Sequence, residues 1–275
     1  MRYLKLLFPV FVLILAGSLY FVGCSDDDDN PAGSDYIVEL PPQSSFVMDF
    51  SDFEGSLLKI DAEDQPMTNA NWAFAGLNVA VWNAIITVGM AVPVASFLEA
   101  FKHEAVKQPD GSWQWSYNFI LGGVYTARLN GKLVGSEIQW KMYLSKESEF
   151  VDFLWYEGTC NLARSEGEWT LYHSPDDPTE LLLIEWHYFT TPGKADLKYT
   201  NIAPDGPENG GYIFYGIDES ATYDRFYDIY NKGQDDLVEI EWDFTTKEGR
   251  VRNELHFGDT DWHCWDGTLS DVSCK

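Results

Sequence analysis

The chain has 275 residues, of which 44 are acidic and 18 are basic, so its formal net charge at pH 7 is −26. Such an acidic chain repels phosphate backbones, and we therefore expect no nucleic-acid partner. Hydrophobic residues make up 45% of the chain and aromatic residues 16%, which is ample for a folded core.

The first 23 residues resemble the signal peptide of a bacterial lipoprotein. Two basic residues precede an apolar stretch at 6–20, and the small residue Gly23 comes directly before Cys24. The resemblance implies that residues 1–23 are removed and that Cys24 carries acyl chains such as palmitate. Several chains give a lasting anchor to the membrane, whereas one chain binds only marginally. An uncleaved transmembrane helix over 4–22 is the alternative, since about 20 apolar residues span a bilayer.

Residues 24–34 form a predicted acidic tether. Four successive aspartates repel one another and keep the backbone extended. The run Cys24-Ser25-Asp26-Asp27-Asp28-Asp29 resembles the export signal of surface lipoproteins in the Bacteroidota. The resemblance implies a lipid-anchored protein at the outer membrane, on the cell surface. Acidic residues after the cysteine also occur in lipoproteins that stay in the periplasm, so the choice of leaflet stays open.

An uncharged run lies between Asp64 and Glu99, and its apolar residues do not alternate with polar ones. This pattern predicts a helical insert at about 70–105, which Gly89 and Pro93 would break or kink into two helices.

The predicted helix starts near an asparagine, Asn69 or Asn71, which could cap its first turn. A helix that is apolar on all sides must be buried, and we expect it to be buried in protein. The uncharged length would also suffice for one membrane span, which is the alternative.

From Trp113 onward, short alternating segments are separated by turn residues, which predicts about eleven or twelve strands in an antiparallel meander. The clearest inward faces are Ile138, Trp140, Met142 and Leu144, and then Val238, Ile240, Trp242 and Phe244. The predicted reversals are Asn130-Gly131, Pro192-Gly193, Lys232-Gly233 and Glu248-Gly249.

Together these elements predict a mainly β fold, in which one antiparallel meander curls into a half-barrel or barrel around one or two apolar helices. Opening strands are expected at 35–40 and 46–53, within a single domain of residues 35–275. The arrangement resembles, at the level of architecture, the half-barrels with helical plugs of lipoprotein carriers and related lipid-binding lipoproteins.

Three cysteines follow the predicted lipidation site. Cys264 and Cys274 flank a turn signal and are the preferred disulfide pair, which would leave Cys160 as a buried free thiol. A pairing of Cys160 with either of the other two stays open, because connectivity depends on the fold.

The inward faces of the predicted sheet are rich in large rings, which could line a site for a hydrophobic or lipid ligand. These candidate lining residues are Trp113, Trp115, Trp140, Trp155, Trp186, Trp242 and Phe244. The alternative is that the rings pack a dry core, since aromatic stripes are more often core than ligand site.

A second functional alternative is the capture of carbohydrate or of a partner protein at the cell surface. Rings and carboxylates occur together at 212–215, 223–230 and 262–265, where they could stack on sugars and bind hydroxyl groups. Cross-strand aromatic pairs would give the same pattern.

No catalytic signature occurs in the sequence: there is no GxSxG elbow, phosphate loop or dinucleotide fingerprint. His256 and His263 could face each other near Asp259, but no HExxH or paired-cysteine motif supports a zinc site. We therefore predict no catalytic residue, no metal and no cofactor, and a role in binding or in the structure of the outer membrane.

Overall fold

In a computed structural model of the chain, the structure describes residues 36–53, 69–189 and 193–274. The chain divides into two compact units, Met1–Tyr36 and Ile37–Lys275, and the fold below is that of the second. The predicted signal peptide, the acidic tether and Cys24 lie outside the described residues.

The second unit is built on one antiparallel sheet of fourteen strands, which follow one another in chain order. The first seven strands are β1 (Val106–Lys107), β2 (Trp113–Ile120), β3 (Val124–Val134), β4 (Glu137–Lys146), β5 (Phe150–Asn161), β6 (Glu166–Ser174) and β7 (Asp177–Tyr188). The next seven are β8 (Lys194–Asn201), β9 (Tyr212–Asp218), β10 (Arg225–Asn231), β11 (Asp236–Trp242), β12 (Gly249–Arg252), β13 (His263–Trp265) and β14 (Asp271–Val272). Within the described residues β1 and β14 do not pair with each other, so the sheet is open.

Two apolar helices lie against the inner face of this sheet, as the uncharged run predicts. Helix α1 spans Ala70–Gly89 and α2 spans Ala91–Ala100, while the short α3 spans Glu254–Phe257. Pro93 lies in the first turn of α2, where a missing N–H breaks no helical hydrogen bond. Helix α2 contacts β2, and α1 contacts β11 to β14 at the other end of the strand order. The sheet therefore curls around the two helices, and the predicted mainly β half-barrel is confirmed.

The alternation of the strands directs their large side chains into this curled sheet. In β4, the side chains of Ile138, Trp140, Met142 and Leu144 are all at most 1% exposed. At the centre of the core, Phe97 of α2 stacks on Phe46 with ring centroids 4.6 Å apart. The inward face predicted from period-two alternation is therefore the core of the protein.

The segment before the helices fills the interior without forming a strand. Residues 36–53 carry no strand, contrary to the opening strands predicted at 35–40 and 46–53. The hydroxyl group of Tyr199 donates to the carbonyl of Phe46 at 2.9 Å and accepts from the backbone N–H of Met48 at 2.8 Å. Because side chains of the sheet satisfy this backbone, the segment can be buried without a strand partner.

The Asn130-Gly131 pair lies inside β3 and does not reverse the chain, so this turn prediction is wrong. Gly131 pairs with Trp113 of β2 and with Trp140 of β4. A Cβ atom at Gly131 would lie 2.6 Å from Cζ3 of Trp140 and 2.8 Å from Cγ1 of Val38. The glycine is needed here for close packing rather than for a turn.

Two of the other predicted reversals, Lys232-Gly233 and Glu248-Gly249, lie where one strand ends and the next begins. Lys232 and Gly233 lie in a short 3-10 turn between β10 and β11. Glu248 closes the connection between β11 and β12, and Gly249 begins β12. Gly193 comes directly before β8, while its partner Pro192 lies outside the described residues.

Candidate functional site

Five of the seven rings predicted to line a ligand site lie in the core. Trp115, Trp140, Trp155, Trp186 and Trp242 are each at most 8% exposed. They pack on other rings: Trp140 lies 5.7 Å from Trp115 between centroids, and Trp242 lies 5.0 Å from Tyr227. Trp113, at the start of β2, is half-buried. None of these rings lines the cavity described below.

Phe244 does not continue the inward face of β11, so this part of the prediction is wrong. The strand ends at Trp242 because the carboxylate of Asp243 accepts the backbone N–H groups of Thr245 at 3.0 Å and Thr246 at 2.6 Å. The resulting turn leaves Phe244 46% exposed, with the ammonium of Lys247 4.2 Å from the ring centroid.

The cysteines form one disulfide and one buried thiol. Cys264 and Cys274 are bonded, which is the pairing preferred from their spacing. Cys160 is free and buried, and the indole N–H of Trp140 donates to its sulfur at 3.3 Å. Burial raises the pKa of the Cys160 thiol, so the reactive thiolate form is disfavoured.

The two histidines near the C-terminus stack on phenylalanine rings. His256 lies 3.8 Å from Phe74 between ring centroids, and His263 lies 3.7 Å from Phe257. The imidazole of His263 also contacts a carboxylate oxygen of Asp259 at 3.0 Å. In the part of the chain that the structure describes, no group of three His, Cys, Asp or Glu side chains is placed to hold a metal ion.

The aromatic surface near the C-terminus is covered by guanidinium groups. Arg250 and Arg252 lie over the ring of Trp262, at 4.2 Å and 4.6 Å from its centroid. Arg250 forms an ion pair with Glu241 of β11, and Arg252 forms one with Glu239 of the same strand. Because these ion pairs hold the arginines in place, the covered face of Trp262 is not open to a sugar ring.

Helix α1 has an exposed apolar stripe, contrary to the prediction that it is buried on all sides. The stripe consists of Leu77, Val81, Ile85 and Val88, which are 41%, 52%, 57% and 82% exposed. Their spacing of three or four residues places them on one face of the helix. By length and composition α1 could cross a membrane, and 33% of its most apolar window is buried in the protein.

A cavity of about 330 Å³ opens beside this stripe, between the C-terminal half of α1 and the sheet. Its walls are apolar and come from α1, from Met90 after it and from β7. The wall residues are Val81, Trp82, Ile85, Ile86, Gly89, Met90, Leu181 and Leu182. Val81 and Ile85 belong both to the wall and to the exposed stripe, so the cavity opens at an apolar surface.

A polar rim borders the same cavity, where β8 and β10 end. The rim consists of Asn201, Glu208, Asn231 and Gln234, together with the backbone of Gly211. A carboxylate oxygen of Glu208 accepts the backbone N–H of Gly233 at 3.2 Å, which links the loops before β9 and before β11. The amide oxygen of Asn201 accepts the N–H of Ala203 at 2.9 Å. Hydrogen bonds thus hold the side chains of Glu208 and Asn201 in position at the rim.

The sequence prediction missed this cavity because its two walls are about a hundred positions apart in the chain. A local signal exists in the run Leu181-Leu182-Leu183, where three leucines in succession break the alternation of β7. Leu182 is only 5% exposed, and both Leu181 and Leu182 line the cavity. Only the packing of α1 on the sheet brings these leucines next to Ile85 and Ile86.

The chain was compared with protein-family models, with curated proteins and with solved structures, and none of the three comparisons gave a match. Any functional argument therefore depends on the cavity and on the sequence features described above.

Proposed function

We propose that this protein binds a hydrophobic ligand in the cavity between α1 and β7, and that it does so as a lipoprotein anchored through Cys24 at the outer membrane, on the cell surface. The observation that carries the proposal is an apolar-walled cavity of about 330 Å³ with a polar rim. The proposed role is binding, without catalysis.

The size and lining of the cavity support this proposal. Pockets for small ligands measure about 300–1,000 Å³ and combine apolar walls with a few placed polar groups. Covering apolar surface stabilises a complex by about 25 cal/mol per Å². Exposed residues of the α1 stripe, such as Ile85 at 57%, are therefore favourable contacts for an apolar ligand.

The proposed anchor would place this cavity where hydrophobic molecules are abundant. A lipidated Cys24 keeps the protein at a membrane, and the acidic residues after it give the domain a solvated connection. A ligand of low solubility in water would reach the cavity over a short distance from the bilayer.

Binding of a fluorescent hydrophobic probe, N-phenyl-1-naphthylamine, to the purified full-length protein tests ligand binding. Gly89 lines the cavity, and a Cβ atom there meets no atom within 4 Å, so the side chain of Gly89→Leu would begin in open space and fill part of the cavity. We expect Gly89→Leu to weaken probe binding at least fivefold, while the control Val151→Leu, at an 82% exposed valine of β5 outside the cavity, leaves it unaltered. Equal binding by both variants would place the probe elsewhere and contradict the proposal.

The anchor is tested separately in intact cells that express the protein. We expect a palmitate analogue to label the wild type and the control Cys160→Ser, but not Cys24→Ser. Protease added to intact cells should then digest the labelled protein. Labelling of Cys24→Ser would refute lipidation at this residue, and complete protection from protease would refute exposure on the cell surface.

A further inference from the structure

We infer that the ligand of the α1 cavity is a single-chain amphiphile whose polar end is uncharged or cationic. This inference rests on the proposed function and names the class of molecule that the cavity accepts. Three features of the site support this inference: its size, the composition of its rim, and the fact that its apolar wall and polar rim come from different elements.

The size of the cavity limits the apolar part of the ligand. A volume of about 330 Å³ lies at the small end of the range for ligand pockets, which is about 300–1,000 Å³. The wall around it is packed, since Ile86, Met90 and Leu182 are each at most 8% exposed. One alkyl chain fits such a space, whereas the two chains of a phospholipid would require the core to open.

The polar rim determines which head group of the ligand can lie beside it. Its side chains are one carboxylate, Glu208, and three amides, of Asn201, Asn231 and Gln234. A carboxylate only accepts hydrogen bonds, whereas an amide both donates and accepts. The rim therefore suits hydroxyl and amine groups, which can donate to Glu208.

An anionic head group would find no counter-charge at this rim. Among the described residues that line the cavity, none is basic. Lys232 follows the rim residue Asn231 in the chain, and its ammonium lies 5.8 Å from the ring centroid of Tyr230. An anionic head group is repelled by Glu208 and also by the protein as a whole, whose net charge is −26. A ligand with a carboxylate or phosphate head group is therefore disfavoured.

The apolar and polar lining residues come from different elements, which indicates how the amphiphile lies. Val81 and Ile85 are shared by the cavity wall and the exposed stripe, whereas Glu208 and Gln234 belong to the connections before β9 and β11. An alkyl chain would contact α1 and β7, and the polar end would meet the loops before β9 and β11.

Three amphiphiles with the same twelve-carbon chain test the inference on the full-length protein, each below its micelle concentration. They are dodecylammonium, monolauroylglycerol and dodecanoate, and each competes with the fluorescent probe. We expect the first two to displace it at concentrations about tenfold lower than dodecanoate, a factor that corresponds to about 1.4 kcal/mol. A two-chain phosphatidylcholine should not displace it.

Variants at the rim separate head-group recognition from attraction by the acidic surface. Glu208→Gln should weaken the binding of dodecylammonium relative to that of monolauroylglycerol, and Glu208→Lys should bring the affinity for dodecanoate closer to that for the other two. The matched control Glu104→Gln removes an exposed carboxylate outside the cavity and should leave the preference unchanged. Gly89→Leu should weaken all three ligands together.

The possible failures of this experiment are distinguishable. If the probe does not bind, or binds Gly89→Leu as tightly as the wild type, the proposed function fails. If the probe binds in the cavity and none of the amphiphiles displaces it, the proposed function stands and the assigned class is overturned. If dodecanoate binds as tightly as the others, or phosphatidylcholine binds as tightly as the single chains, ligand binding stands and the assigned class is overturned. A preference that is the same in Glu208→Gln and the wild type would also overturn it.

Discussion

The carboxylate of Asp271 caps the first turn of α1, two hundred positions away in the chain. Its two oxygens accept the backbone N–H groups of Ala70 and Asn71, each at 3.0 Å. Asn69 occupies the position before the helix, but its side chain makes no capping hydrogen bond. The side chain of Asn71 donates to the carbonyl of Cys264 at 3.0 Å. The β13–β14 hairpin thus fixes the start of the helix whose other half forms the cavity wall.

Removal of this cap should destabilise the protein. Asp271→Ala leaves the first N–H groups of α1 without their acceptor, and we expect it to lower the free energy of unfolding by about 1–2 kcal/mol. Urea denaturation measures the change. The control Asp176→Ala removes an exposed aspartate between β6 and β7 and should stay within about 0.5 kcal/mol of the wild type. Equal stability of the two variants would contradict the capping role.

The disulfide and the Asp271 cap should act as one unit. The Cys264–Cys274 bond joins residues 10 positions apart and encloses Asp271. Replacing both cysteines by serine should cost about 2–3 kcal/mol. The bond holds the strand that carries the cap. The triple variant with Asp271→Ala should therefore lose less free energy of unfolding than the sum of the losses caused by the two changes made separately. Strict additivity in urea denaturation would show that the two features are independent.

The same substitution at two glycines should have opposite effects on stability. Gly131→Ala places a Cβ atom 2.6 Å from Trp140 and 2.8 Å from Val38, and we expect a loss of about 1–3 kcal/mol. Gly89→Ala meets no atom within 4 Å at the end of α1, and we expect a gain of about 0.5 kcal/mol. Thermal unfolding of both variants checks the signs. A Gly131→Ala protein as stable as the wild type would show that the contact with Trp140 is not tight.

Asp228 on the outer face of β10 should make stability depend on pH. The pKa of this carboxyl is raised from 3.8 to about 6, mainly by partial burial and also by Glu239 and Glu241 of β11, against the opposing effect of Arg252. The folded state therefore binds a proton more tightly than the unfolded state does. As pH rises from about 4 to about 6, the free energy of unfolding should fall because the carboxylate ionises in an unfavourable place.

The variant Asp228→Asn should remove this dependence. We expect it to be more stable than the wild type by about 1 kcal/mol at pH 7, after allowance for partial solvent exposure, and to show no gain at pH 4. Urea denaturation at several pH values between 4 and 7 measures the difference. Asp176→Asn is the control, and a gain for Asp228→Asn that is constant across this range would argue against titration of Asp228.

The sequence by itself determined the class of the fold and the direction of most core side chains. Period-two alternation places Ile138, Trp140, Val238 and Ile240 inward, and each is buried. The uncharged run near Gly89 predicts two helices, and two are present. These features could be predicted because they are local: a strand turns alternate residues to one face, whatever its partners are.

Only the tertiary structure decided where α1 is capped, which of its faces stays exposed and that a cavity lies beside it. The cap comes from Asp271, at the far end of the chain, and the cavity needs Ile86 of α1 next to Leu182 of β7. The same holds for Gly131, which would suit a turn but lies under the ring of Trp140. The physical reason is that each depends on contacts between residues far apart in sequence, which a local pattern of polarity does not encode.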